Sequence, residues 1–370
     1  AQHTPSGTEY GTSTRTDGTF TIPNARVGGP YTITITFVGY SEDKRENIYL
    51  SLGQTHNLRV QLSESSVELE DVEITASRDD VFNSERTGAS TNISTQQINT
   101  LPTVGRNLTD FTRLTPQVSL TANQGISIAG ANNRYNSIFI DGAVNNDVFG
   151  LSETGTNGGQ ANSISPISID AIEEFQVVIA PFDVRLGGFA GGGINAVTRS
   201  GSNKFSGSVY TFYRNESLAG KTPTDNPSLE RKKLDNFTAQ TTGLRLGGPI
   251  IKDKLFFFVN AEFQRDETPQ PFDYATYNGT VTQSDLNTLT NFLRSTYGYD
   301  PGGYLDNPSE TKSDKFLARF DYNLNEDHKI SLRHSYTKGE AYKRTRSSNS
   351  MINFSNNSEF FPSTTNSTAL

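Results

Sequence analysis

Beyond about residue 205 the chain falls into alternating apolar and polar stretches, at 205–214, 237–247, 255–265, 314–323 and 328–338. In the third, Phe257, Val259, Ala261 and Phe263 share one face, and Asn260, Glu262 and Gln264 share the other. In the fourth, Phe316, Ala318, Phe320 and Tyr322 oppose Arg319, Asp321 and Asn323. A period of two is the signature of a strand. Segments of about ten residues with an aromatic face opposite a charged one suit a wall with lipid outside and water inside. The connections alternate too: 215–236 is long, 248–254 tight, 266–313 very long and 324–327 tight. Membrane barrels put short turns at one rim and long loops at the other. A secreted β-sandwich would share the residue alternation without favouring this order of loop lengths. The expectation for 204–370 is the N-terminal part of an antiparallel transmembrane β-barrel. Five strands leave open edges that lipid cannot satisfy, so more of the barrel is expected beyond a last stretch that reads as polar loop.

The residues before the wall divide in three. Residues 1–62 read as a small β-sandwich that is expected to lack its first strand. After a Thr16-Asp17-Gly18 turn, its strands are Thr19-Phe20-Thr21-Ile22, broken at Pro23-Asn24, a period-two run from Tyr31 through Ile33 and Ile35 to Phe37 that follows a Gly28-Gly29-Pro30 turn, and Leu58-Arg59-Val60-Gln61-Leu62. Residues 63–76 are an acidic linker that ends in an extended, β-branched segment, Leu69-Glu70-Asp71-Val72-Glu73-Ile74-Thr75-Ala76. Residues 77–203 mix types. Helical turns are expected at 95–101, 107–114 and 169–174, and strands at 126–130, 137–142, 175–179 and 194–199, with an Asn/Gly/Ser-rich loop over 142–164. The fold class is mainly β: a small sandwich, an α+β unit and the first strands of a barrel.

Composition narrows the chemistry. Thirty-two glycines, 15 Tyr and 23 Phe favour β structure. No run approaches the ~20 apolar residues of a membrane helix, which says nothing against barrel strands. With a net charge of -8 and no basic cluster beyond Lys343, Arg344 and Arg346, no nucleic-acid partner is expected. The absence of cysteine excludes disulfides and thiolate chemistry within these residues. His3, His56, His328 and His334 are scattered, and neither a metal spacing nor a nucleophile elbow occurs, so no enzyme activity, cofactor or metal is expected. Asp141, Asn145, Asn146 and Asp147 could ligate calcium, but a polar loop is the preferred reading. Gly191-Gly192-Gly193-Ile194-Asn195-Ala196 fits a dinucleotide fingerprint in letters, yet a strand, not a helix, follows it.

Several stretches resemble the TonB-dependent outer-membrane receptors. Asp17-Gly18-Thr19-Phe20-Thr21-Ile22-Pro23 and Phe37-Val38-Gly39-Tyr40 resemble the carboxypeptidase-regulatory-like domain that many members carry in front of their plug. Leu69 to Ala76 is similar to the TonB box. Ile138-Phe139-Ile140-Asp141-Gly142, Ile172 to Val177 and Gly191 to Gly201 resemble strands of the plug. Leu246 to Phe258 looks like a hairpin of the Oar-like branch. Ile179-Ala180-Pro181 stands where the plug commonly has Arg-Gly-Pro, and Ala129 where it often has Arg, which points to a divergent branch.

The resemblance implies a place in the Gram-negative outer membrane, with the N-terminal domain and the TonB box in the periplasm. It implies TonB as partner, pairing with Leu69, Glu70, Asp71, Val72, Glu73, Ile74 and Thr75 by strand addition to energise transport through a plugged barrel in contact with outer-membrane lipid. A plug apex of Asn132, Asn133, Arg134, Tyr135, Asn145 and Asn146 would meet an unknown substrate, or equally serve plug–barrel hydrogen bonding. Glycan, peptide, siderophore and protein cargo, and import or export, all stay open. The alternative is a non-transporting structural or adhesive surface protein, or a docking subunit of an envelope complex with a lipoprotein or other partner.

Overall fold

The computed structural model describes all residues except 65–88, 102, 104, 121–124, 148–163, 181–185, 222–230, 232, 235, 271, 306 and 326–327. The segment 69–76 and most of the loop 142–164 therefore lie outside the described residues.

Strands β1 (Gln2–His3), β2 (Thr8–Glu9), β3 (Gly28–Ile35) and β4 (Asp43–Leu50) form one antiparallel sheet in the order β2-β1-β3-β4. Tyr31 on β3 is fully buried, whereas Phe37, expected on the same face, lies past the strand end and is exposed. Thr19–Ile22 and 58–62 are not strands. In their place stands β4, whose charged sequence hid it: Arg45 pairs with Asp43 and Lys44 with Glu46 along a sheet edge. Charged side chains are what an exposed edge tolerates.

His3 is buried here, with its Nδ1 2.7 Å from Ser6 Oγ and its ring against Tyr31. Burial, and then the nearby Arg26 guanidinium, hold its pKa down to about 4. The unfolded chain takes up this proton near 6.5, so between those values it binds more protons than the folded domain, and stability falls as pH drops from about 6.5 to 4. Thermal melts across that window should show the loss, and His3→Gln should flatten it. An unchanged slope would remove His3 as its source.

The next unit is a five-stranded sheet ordered β5-β10-β11-β8-β9, of β5 (Ala89–Ser94), β8 (Ser137–Ile140), β9 (Ala143–Val144), β10 (Ile172–Ala180) and β11 (Gly193–Thr198), with a separate hairpin of β6 (Val118–Leu120) and β7 (Ile126–Ile128). Helix α1 (Thr95–Thr100) starts on a Ser94/Gln97 capping box, and α2 (Leu108–Thr112) follows. Ile93, Ile98, Phe111, Phe175, Val177 and Ile194 lie at the centre of one apolar core. The glycine run belongs to this packing: a Cβ on Gly192 would stand 2.6 Å from Ile128 and 3.0 Å from the Val178 carbonyl.

The wall is one antiparallel sheet in sequence order: β12 (Ser206–Asn215), β13 (Thr238–Ile251), β14 (Leu255–Thr268), β15 (Ser309–Asn323), β16 (Lys329–Arg344) and β17 (Ser358–Ala369). All five expected strands are present, and β13 runs on to Ile251 where a turn was expected from 248. The sixth was not expected. Residues 358–369 read as polar loop because Ser, Thr and Asn dominate, yet they pair with β16 over twelve positions. Pro362 within it sits on a strand with one described neighbour, the place a sheet tolerates proline. Tight turns join β13 to β14 and β15 to β16 at the rim where the chain enters β12, and 216–237, 269–308 and 345–357 connect strands at the far rim.

Directly opposed residues share a side of a sheet. Val209, Leu244, Ala261, Phe316 and Tyr336 oppose one another across five strands and form an outer row. Phe316, Phe320 and Phe263 are 44, 41 and 38 % exposed, so the aromatic rows of β14 and β15 face outward and are not packed into an interior. The inner face carries Tyr210, Glu262, Lys315 and Thr337 in one row. It also carries Phe256 and Phe258, both buried, a pair of apolar residues not anticipated on the wet side. Phe258 and Leu317 join the apolar core of the five-stranded unit. We predict that Leu244→Arg, on the outer row, will cost about 2–4 kcal/mol of stability in a bilayer, while its neighbour Arg245 is already charged and turned inward. Equal unfolding midpoints for wild type and variant in liposomes would refute the assigned faces.

Candidate functional site

The contact between the α+β unit and the inner face of the wall joins an apolar part, where Phe258 and Leu317 meet the core, to a series of ion pairs and hydrogen bonds. Asp141 and Gly142 both have positive φ and form the two-residue turn joining β8 to β9, the geometry Asp-Gly favours in hairpins. Within that turn the Asp141 carboxylate accepts from Thr198 N (2.8 Å) and Thr198 Oγ1 (2.7 Å), which ties β8 to the end of β11. It also faces the wall, where Arg333 Nε lies 3.0 Å from Asp141 Oδ2 and Arg319 Nη1 3.5 Å from Oδ1. Arg319 and Arg333 are directly opposed on β15 and β16. Like charges in that relation repel. Asp321 neutralises Arg319 from its own strand (2.9 Å). Arg333, with its side chain 3 % exposed, has Asp141 as its carboxylate partner among the described residues. The wall thus presents a charge that the inserted unit completes.

A second contact lies one row further in. Asp170, on the helical turn Ile169–Ala171, accepts from Ser208 Oγ of β12 (3.0 Å) and pairs with Arg245 of β13 (3.3 Å). Behind it, Arg199 pairs with Glu173 (3.2 Å). In the third contact, Ser168 Oγ donates to Glu262 Oε2 (2.8 Å), which also accepts from Tyr210 OH (2.6 Å), while Lys315 holds Oε1 (2.8 Å). Tyr210 can lie across β13 because position 243 is glycine; a Cβ there would overlap the Tyr210 ring. Thr337 Oγ1 donates to the Pro166 carbonyl (2.9 Å). Of these residues the sequence singled out Asp141, Glu262, Arg319 and Asp321, and it placed Glu173, Thr198 and Arg199 in plug-like stretches. Arg333, Arg245, Tyr210 and Ser168 carried no signal of their own, and their period-two placement on polar faces was the clue available.

The six residues expected at the plug apex come together at the end of the sheet away from the entry into β12. Asn132 caps the helical turn Asn133–Tyr135 by accepting from Arg134 N (3.0 Å), and Asn132, Arg134 and Tyr135 are exposed. Asn145 and Asn146 are half-buried and engaged. Asn145 N donates to the Ile138 carbonyl, and Asn146 accepts from Ile138 N (2.7 Å) and donates to Ser137 Oγ (3.0 Å). Gly191 to Ala196 continues into β11 with no helix, which leaves the dinucleotide reading without its structural context.

An apolar-faced antiparallel wall with an α+β stopper ion-paired to its inner side defines a plugged outer-membrane barrel. Family models match it region by region: the Carboxypeptidase regulatory-like domain over residues 1–63, the TonB-dependent Receptor Plug Domain over 83–194 and the Outer membrane beta barrel domain over 197–297. The chain belongs to the TonB-dependent outer-membrane receptors, and its place is the outer membrane of a Gram-negative cell. Among its relatives is the TonB-dependent transporter Oar of Myxococcus xanthus, 27% identical over 218 residues, which are 57% of this chain and 19% of Oar. Another is the probable TonB-dependent siderophore receptor PirA of Acinetobacter baumannii, 27% identical over 189 residues, 47% of this chain and 22% of that protein. The chain therefore spans about a fifth of the length of these relatives. The crystal structure of PirA from Acinetobacter baumannii superposes with a TM-score of 0.48 at 19% identity, covering 70% of this chain and 33% of that one. The outer-membrane transporter YddB from Escherichia coli gives a TM-score of 0.49 at 17% identity, covering 70% and 34%.

Proposed function

We propose that the protein carries a cargo across the outer membrane through its plugged lumen, energised by TonB pairing with 69–76. The observation that carries this reading is the polar seam between plug and wall. A permanent seal gains most from close apolar packing. Here Asp141, Asp170 and Ser168 meet Arg319, Arg333, Arg245 and Glu262 through ion pairs and hydrogen bonds. Water can replace such contacts when the plug moves. The rim with tight turns is periplasmic on this reading, which puts the N-terminal domain and 69–76 on the side where TonB works. Leu69, Glu70, Asp71, Val72, Glu73, Ile74 and Thr75 supply the strand that TonB extends. Asn132, Asn133, Arg134 and Tyr135 meet the cargo at the opposite end, and Asn145 and Asn146 hold that end in shape. No catalytic role is assigned.

A second reading, an adhesive or docking protein that never transports, is favoured by one feature. The far-rim connections 269–308 and 345–357 are joined into one body. Asn278 N donates to the Asn349 carbonyl (2.7 Å), Asn307 Nδ2 to the Asn353 carbonyl (3.0 Å), and Tyr304 meets Phe354 edge-on. Dissipating the proton-motive force separates the two. Transport should stop while surface binding of the same cargo persists, and cargo movement that continues in de-energised cells would end the first reading.

A further inference from the structure

The N-terminal domain touches both the plug and the wall, and neither contact is used by the function proposed above. On the plug side, the turn at Leu52 and Gly53 enters a polar notch. Leu52 N donates to Glu174 Oε1 (3.0 Å), and the Leu52 carbonyl accepts from Asn92 Nδ2 (2.8 Å) and Gln176 Nε2 (3.0 Å). Gly53 has a φ of +67°, and a Cβ there would lie 2.6 Å from Gln176. Asn92 is on β5, the edge strand of the plug sheet, and Glu174 and Gln176 are on its partner β10. On the wall side, Arg26 pairs with Asp321 (3.3 Å), Asn323 Nδ2 donates to Thr8 Oγ1 (3.0 Å), and Asn203 N donates to the Pro5 carbonyl (2.8 Å). Lys329 Nζ donates to the Glu9 carbonyl (2.8 Å) and lies over the Tyr10 ring.

From these contacts we infer that the N-terminal domain is a releasable clamp, which fastens the edge strand β5 to the barrel rim and must let go before the plug can be drawn out. This deepens the proposed function and takes from it only the place where force enters. Residues 65–88 join the clamp, whose last bridge is Tyr40 to Glu64, to β5, which begins at Ala89. A pull on 69–76 therefore loads the clamp on one side and β5 on the other. Asp321 carries both loads electrostatically. It holds Arg26 of the clamp, and it holds Arg319, which in turn faces Asp141 of the plug. Undocking removes one of the cations that share Asp321, so the seating of clamp and plug are coupled through one carboxylate. The junction is built to part: a cavity of about 270 Å³ lies between His3, Arg26, Glu173, Arg199, Arg245 and Arg319. Polar interfaces of this kind are typical of domains that move.

The test pulls the whole receptor in a lipid bilayer through a covalent handle on Glu73→Cys, a unique thiol within the 370 residues. TonB takes no part. Unsubstituted docking residues should give a release event before plug extension. Arg26→Ala should bring that event to lower force and raise the extrapolated zero-force release rate about tenfold, as should Gly53→Val, while Arg26→Lys retains part of the resistance. Separately, thiols introduced by Thr8→Cys and Asn323→Cys should be joined by a short bis-maleimide in the native membrane, a readout of docking that leaves every charge in place. Plug extension at unchanged force in both Arg26→Ala and Gly53→Val would overturn the clamp. So would failure of the two thiols to join when both label after denaturation. Loss of TonB binding to 69–76 in a separate pull-down would instead count against the coupling mechanism and leave the clamp result standing.

Discussion

Deleting residues 69–76 from the intact receptor will abolish energised transport and leave binding of cargo at the cell surface unchanged. The segment runs Leu69-Glu70-Asp71-Val72-Glu73-Ile74-Thr75-Ala76, with the β-branched Val72 and Ile74 on either side of Glu73. Such a strand recruits a partner through backbone hydrogen bonds, which every residue except proline can make, while alternate side chains set the register. The loss should therefore be close to complete for the deletion and graded for side-chain changes. Ile74→Pro, which removes a backbone donor and fixes φ, should approach the deletion; Glu70→Gln should act weakly. The expected pattern is near-zero uptake of labelled cargo over a surface-bound signal equal to wild type. Uptake at the wild-type rate in the deletion strain would sink the coupling claim, and loss of surface binding as well would point to misassembly.

The wall was the most legible part of the chain because its two solvents write opposite demands on alternate residues. Phe257 and Glu262, or Phe316 and Arg319, cannot exchange faces without putting charge in lipid. β17 escaped because Ser363, Thr364, Thr365 and Ser367 satisfy either face, so its strand character comes from pairing with β16 and not from its letters. β4 escaped for a related reason: Asp43 to Glu46 are edge residues whose neighbours along the chain neutralise them. Phe258 sits on the inner face as part of an apolar run because the plug, not water, covers it, and Phe256 is buried on the same face. The site was half legible. Asp141 announced a turn, and its ion-pair role depends on Arg333, which lies 192 residues later in sequence and is brought there by strand register alone. In the contact of Leu52 with Gln176, Leu52 takes part through its backbone carbonyl, so its residue type left no trace of the docking.

Asp141→Ala should loosen the plug by about 3–5 kcal/mol, the usual cost of removing one partner from a buried ion pair. Three side chains set the size of the effect: Asp141, Arg319 and Arg333 are 16, 14 and 3 % exposed, and the two guanidinium groups oppose each other on adjacent strands. Arg319 would keep Asp321, but among the described residues Arg333 would keep a long contact to the Ile140 carbonyl (3.4 Å) and to serine hydroxyls. The β8–β9 turn would also suffer, because alanine tolerates the positive φ of residue 141 poorly. Asp141→Asn separates these causes. Asparagine accepts the turn conformation and can still receive the Thr198 amide, so any loss it shows reports the charge and the Oδ2 acceptor that Thr198 Oγ1 and Arg333 share, not the turn. Asp141→Ala combined with Arg333→Leu should recover part of the deficit, since a buried pair replaced by apolar groups leaves no stranded charge. Protease cleavage of the plug in membrane-inserted receptor, followed against denaturant, reads all three. A plug as resistant in Asp141→Ala as in wild type would show that the wall holds it by other means. An Asp141→Asn variant as weak as Asp141→Ala would locate the effect in the carboxylate's charge and its Oδ2 acceptor, leaving the turn conformation with no measurable share.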